Sequence, residues 1–179
     1  RDYYASRGLG DVYKRQISID YGTINPCSMG LWCVQQRRAV RVKEWYFDSR
    51  KAQRQMTDEE YYAALENLAR GYSIRRVIVD PSAASFIACI RRHGRFSVWD
   101  ADNDVLNGIR VTSALLTAGM VQIHESCTDA IREFGLYRWD EKANSDRVLK
   151  ENDHAMDDVR YFCYTILARE FRWAEWKVK

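Results

Sequence analysis

Ile17-Ser18-Ile19-Asp20-Tyr21-Gly22 and Val77-Ile78-Val79-Asp80-Pro81 share one design. Each is a short run of strand-forming residues, closed by an aspartate and followed by a residue that stops a strand. A carboxylate at a strand end escapes the desolvation cost of full burial. The loops beyond such ends are also where α/β folds place their chemistry. One aspartate of this kind is most often a turn former. Two of them, on strands expected to be neighbours, mark a candidate site.

Working outward from Asp20, the breaker-rich Tyr21-Gly22-Thr23-Ile24-Asn25-Pro26 reads as a turn. Residues 28–35 and 40–47 then read as two strands joined across Gln36-Arg37-Arg38. Three strands with short connections predict an antiparallel meander, because parallel strands need long crossovers. Thr57-Asp58-Glu59-Glu60 is a capping box that opens an amphipathic helix through Tyr61, Leu65 and Leu68, ending near Gly71. Residues 76–80 suit a strand buried on both faces. Helices are expected at 83–92, 105–117, 127–137 and 153–169, with short strands at 96–99 and 120–123. Residues 139–151 form the one long polar loop. This order predicts an α/β fold: a mixed sheet, with a three-strand antiparallel meander plus parallel strands, flanked by helices.

A third carboxylate lies in Asp153-His154-Ala155-Met156-Asp157-Asp158. On a helix, Asp153, His154 and Asp157 share a face, while Asp158 is turned about 100° from Asp157. Asp157 is therefore a candidate metal ligand and Asp158 is not; Asp158 reads as an extra charge or a solvated one. Asp153 reads as the N-cap. His154 can handle protons near neutral pH or orient a ligand. Asp20, Asp80 and Asp157 offer hard oxygens, which suit two ions of Mg2+ or Mn2+ better than zinc. Two such ions can activate water and stabilise a leaving oxygen in phosphodiester cleavage.

Composition narrows the alternatives. A chain of 179 residues with 46% hydrophobic content supports one core. Residues 17–170 read as the domain, 1–16 as a non-native or linker tail, and 171–179 as a C-terminal tail. The net charge of +3, from 28 basic and 25 acidic residues, permits nucleic-acid contact without arguing for it. Five cysteines with no C-x-x-C pair read as reduced, mostly buried thiols rather than a disulfide framework or a zinc site. No apolar run reaches membrane-spanning length, so a soluble, cytoplasmic protein with no membrane partner is expected. The three histidines form no H-x-x-x-H zinc pair, and no G-x-S-x-G supports a serine nucleophile.

Several segments resemble a known family. Ile17-Ser18-Ile19-Asp20-Tyr21-Gly22-Thr23 with Asn25-Pro26 resembles the first motif of the phage terminase large-subunit nuclease domain, which has an RNase H-like fold. Val79-Asp80-Pro81-Ser82-Ala83-Ala84-Ser85-Phe86-Ile87 is similar to the second motif. Lys150-Glu151-Asn152-Asp153-His154-Ala155-Met156-Asp157, with Arg160-Tyr161, is similar to the third. The stretches 101–110 and 137–142 also look familial. The resemblance runs from about Ile17 to Glu170 and implies a metal-dependent endonuclease that cuts double-stranded phage DNA concatemers during packaging. It also implies that Asp20, Asp80 and Asp157 are the metal-binding catalytic residues, assisted by His154. Where this chain has Asp158, the family often has Ala.

The implied partners are DNA, a terminase ATPase half, a small terminase subunit and the portal. No G-x-x-x-x-G-K-[ST] phosphate loop occurs in the chain, so the reading is of the nuclease half alone. Related nucleases of the same fold, of resolvase or transposase type, are the nearest alternative, and a non-catalytic docking domain is the alternative from another class. Arg147 and Lys150, just before the metal-binding helix, are the expected DNA phosphate contacts. The hairpin cations Arg37, Arg38, Arg41 and Lys43 read equally well as charge that keeps a strand edge soluble.

Overall fold

The computed structural model describes residues 14–137 and 153–170. The meander is β1 (Lys14–Asp20), β2 (Cys27–Gln35) and β3 (Arg38–Phe47), each antiparallel to the next. Then come α1 (Ser49–Ala52), α2 (Asp58–Leu68), β4 (Ile74–Val79) and α3 (Ala84–His93). They are followed by β5 (Val98–Asp100), α4 (Val105–Thr117), β6 (Val121–Ile123) and α5 (Thr128–Leu136). The final unit is α6 (His154–Phe162), a π-helical turn at Cys163–Leu167 and α7 (Ala168–Glu170). Six strands form one mixed sheet in the order β5-β4-β1-β2-β3-β6, with β4, β5 and β6 parallel to their neighbours.

Strand alternation sorts the sheet into two unlike faces. Ile17 and Ile19 of β1, Met29 and Leu31 of β2, and Val77 and Val79 of β4 pack into a wholly apolar core with Tyr61, Leu65 and Phe86 from α2 and α3. The opposite face meets α4, α5 and α6. It is apolar at Trp32, Val34 and Ile78, and Trp32 stacks on Phe162 of α6 with ring centroids 4.2 Å apart. Between these, Ser18 of β1 and Ser28 of β2 present hydroxyls to α6.

Local chemistry accounts for most of the boundaries. The capping box at Thr57 is complete: its side chain accepts from the Glu60 N–H, and Glu60 accepts from the Thr57 N–H. α3 stops where Gly94 takes a left-handed conformation at φ 70°. Three features differ from the sequence expectation. β1 begins at Lys14, so Lys14, Arg15 and Gln16 pair with β2, and Gln16 is fully buried. α1 is held by Asp48, whose side chain accepts from the Arg50 and Lys51 N–H groups, and four residues are too few to show a helical period. The last helix is not uniform: its π turn carries Thr165 inward, where the hydroxyl accepts from the Asp102 N–H at 2.8 Å. The polar loop expected at 139–151 lies outside the described residues. No helix among them is long and apolar enough to cross a membrane.

Candidate active site

β1 and β4 run parallel with Ile19 opposite Val79, so Asp20 and Asp80 leave the sheet one step further along, at the same edge. α6 crosses that edge and engages both. His154 Nδ1 lies 2.9 Å from Asp20 Oδ2. The Tyr161 hydroxyl donates to Asp80 Oδ2 at 2.8 Å, and the Asn103 amide donates to the same oxygen at 2.8 Å. The Ser82 N–H holds Asp80 Oδ1, also at 2.8 Å. Arg160 donates to Asp157 Oδ1 from Nη2 at 3.0 Å and reaches Asn103 Oδ1 at the same distance. Asp157 and Asp80 are thereby tied together through Arg160 and Asn103. One helix thus carries Asp157 and steers the other two carboxylates.

Asp20, Asp153, His154 and Asp157 line an open cleft of about 790 Å³, which Arg50, Lys51 and Arg132 also line. Asp80 is 8% exposed and lies outside that lining. No choice of one oxygen from each of Asp20, Asp80 and Asp157 brings all three within 4.8 Å of one another.

The environments of the two strand-end carboxylates are opposite. Burial pushes Asp20 up to about 7; the His154 hydrogen bond works against this, and the Asp157 charge adds to it. For Asp80, burial is outweighed by hydrogen bonds from Ser82 and Tyr161 and by the charge of Arg160, so its carboxyl is held below the ordinary range. Burial works to lower His154, but the hydrogen bond and charge of Asp20 prevail and raise it. An aspartate that resists ionising, beside a second buried carboxylate, gains most when a positive charge arrives. Hard oxygens in that condition fit a cation of the magnesium or manganese class.

Asp158 overturns the sequence expectation. It is neither solvated nor a weak extra charge. It is fully buried, accepts from Ser18 at 2.9 Å and from Ser28, and forms an ion pair with Arg41. Arg41, counted among the exposed hairpin cations, is itself fully buried. The reason is a bulge in β3: the pairing with β2 shifts between Leu31 and Trp32, which face Lys43 and Arg41. The extra residue reverses the alternation, so that Arg41 turns toward α6. Gly30 makes the room, since a Cβ there would overlap the Arg41 guanidinium. Asp153 is also corrected. It stands at the N-cap position, but its side chain makes no capping hydrogen bond. Glu133 of α5, fully buried, accepts from the Ala155 N–H at 2.6 Å instead.

Sequence reasoning passed over Glu133, Asn103, Arg50 and Lys51. Asn103 and the Arg160-Tyr161 pair fall in segments that looked familial, which was the available signal. A glutamate in an amphipathic helix and two cations on a four-residue helix carry none. Arg147 and Lys150 lie outside the described residues.

No family model matches the chain. It is 43% identical to the large terminase of a thermophilic bacteriophage, solved in complex with ADP, and superposes on it with a TM-score of 0.84, over 89% of this chain and 41% of that one. It is 25% identical over 162 residues to the terminase large subunit of Escherichia phage T5, covering 87% of this chain and 36% of that protein. The nuclease domain of the SPP1 large terminase, solved with bound Mn, superposes with a TM-score of 0.60 at 20% identity, over 86% of this chain and 87% of that one.

The fold is the RNase H-like fold of terminase nuclease domains. The chain is a homologue of the phage terminase large subunits, spanning 41% of the thermophilic-phage protein and 36% of the T5 protein.

Proposed function

We propose that this chain is a divalent-cation-dependent endonuclease that cuts double-stranded concatemeric phage DNA during genome packaging. The observation that carries this reading is the convergence of Asp20, Asp80 and Asp157 through a single helix, α6, at one sheet edge. The 43% identity to the large terminase of the thermophilic phage supports a terminase over a resolvase or transposase of the same fold. The partners that follow are DNA and, through the packaging machine, an ATPase half, a small subunit and a portal.

Asp20, Asp80 and Asp157 would hold two ions of Mg2+ or Mn2+, whose chemistry when bound is to polarise a phosphate oxygen and lower the pKa of water. Each residue around them has a separate task. Asp20 gives up its proton as positive charge arrives, and His154 fixes the orientation of the resulting carboxylate and stands ready to take or return a proton. Tyr161, Asn103 and Ser82 keep Asp80 ionised and aimed. Arg160 aims Asp157. Arg50, Lys51 and Arg132 place positive charge along the cleft, where DNA phosphates can be positioned without reading sequence.

Supercoiled plasmid incubated with the protein tests the reading. Nicked and linear products should form with Mn2+ or Mg2+ and be absent with EDTA. Cutting that survives EDTA would sink the proposal.

A further inference from the structure

On the other face of the sheet, and outside the lining of the cleft, α2 and α3 bring together three side chains of different chemistry. Cys89 and His93 are four residues apart on α3 and so share a face. Glu59 reaches them from the first turn of α2. One ligand atom from each lies within 4.8 Å of the other two. Cys89 Sγ is 3.6 Å from Glu59 Oε1, and His93 Nε2 is 2.8 Å from Glu59 Oε2.

We propose that Glu59, Cys89 and His93 form a second cation site, for a thiophilic divalent ion of the zinc class, that clips α2 to α3. The donor set is one thiolate, one imidazole and one carboxylate, which suits zinc and is wrong for magnesium or calcium. Tetrahedral zinc with these donors sets neighbouring ligand atoms about 3.5 Å apart. The sulfur–oxygen separation already matches. His93 Nε2 meets the other Glu59 oxygen, so one oxygen serving both donors requires the carboxylate to turn, within reach of the exposed Glu59 side chain.

Two further observations favour a built site over a passing surface ion pair. The His93 ring is stacked on Tyr62, with centroids 3.8 Å apart and planes within 7°, which fixes the direction of Nε2. Cys89 is only 2% exposed, so its sulfur sits against the helix interface while the other two ligands stay open to solvent. That opening supplies an entry path and a fourth position for water.

The place for a cation is already marked. Arg92 pairs with Glu59 and lies 3.7 Å from Cys89 Sγ. Its side chain is 66% exposed and can swing away. Loading then exchanges one cation for another: Arg92 leaves Glu59, the Cys89 thiol releases its proton to solvent, and sulfur, nitrogen and oxygen each donate a lone pair. No electron changes hands. The site stands apart from the cleft: only the first residues of α3, Ala84 and Ser85, line the cleft, whereas Cys89 and His93 lie toward the other end of that helix.

Cobalt(II) titrated into the reduced full-length chain is the probe. A thiolate ligand produces a sulfur-to-cobalt charge-transfer band in the near ultraviolet, which a carboxylate cleft cannot produce. One equivalent should bring up that band together with tetrahedral visible bands, and Zn2+ should bleach both. The band should survive in Asp20→Asn, which separates this site from the cleft. It should vanish in Cys89→Ser. His93→Gln, at a more exposed position, should keep the fold by circular dichroism and lose affinity by about tenfold or more. Arg92→Gln should bind more tightly than the parent. No band in the parent chain, or a band that persists in Cys89→Ser, would overturn the proposal.

Discussion

Asp157 and Asp158 are adjacent and do opposite work. Asp157 opens to the cleft; Asp158 neutralises a guanidinium that has no access to water. Asp157→Asn should therefore lower metal-dependent cleavage by at least about a hundredfold while the protein still melts near the parent temperature. Asp158→Ala should cost up to about 3–5 kcal/mol of stability, because it leaves the buried Arg41 with only the longer 3.5 Å pair to Glu44. Thermal melts and plasmid cleavage on the two variants decide the matter, and a stable but inactive Asp158→Ala would contradict it. Asp20 supplies a pH test. In the fold it keeps its proton up to about 7, against about 3.9 in an unfolded chain. The folded state binds that proton more tightly, so its contribution to stability is lost as pH climbs from about 4 through 7. Asn at this position suffers no such loss. In EDTA, the melting-temperature advantage of Asp20→Asn over the parent should widen between about pH 5 and pH 8. A gap that does not change with pH would refute the cause assigned here.

At the scale of elements, α6 is placed by its ends and its underside, not by its helix propensity. Glu133 holds the Ala155 N–H and accepts from the Tyr46 hydroxyl at 2.6 Å, joining α5, β3 and the first turn of α6. Glu44 accepts from the N–H groups of Asp129 and Ala130, so β3 caps α5 in the same way that α5 caps α6. Removing one partner leaves buried donors unpaired. Glu133→Ala should cost about 1–3 kcal/mol, and cleavage should fall further than the loss of folded protein explains, because the first turn of α6 carries His154. Activity per folded molecule equal to the parent's would show that Glu133 is structural only. β3 itself was legible as a strand, yet its bulge was not. A bulge is a relation between two strands, and nothing in Arg41-Val42-Lys43 alone announces it.

At the scale of the molecule, runs of side chains one strand or one helix long were read correctly from their own residues. The meander, the Thr57 capping box, the helix at Val105–Thr117 and the phase that sets Asp157 apart from Asp158 all depend on neighbours within a few positions. Local sterics and alternation decide these, and both are written along the chain. Asp20 and Asp80 were also legible, because a strand-closing aspartate followed by a breaker is a local pattern. The tertiary structure alone decided what those groups face. It turned Arg41 inward over Gly30, buried Asp158 against it, gave the cap of α6 to Glu133 and set Arg160 between Asp157 and Asn103. Apart from the local Asp157–Arg160 pair, each of these joins residues 22 or more positions apart or depends on a register shift. Burial of a charge is settled by what packs over it, and a linear sequence does not state that.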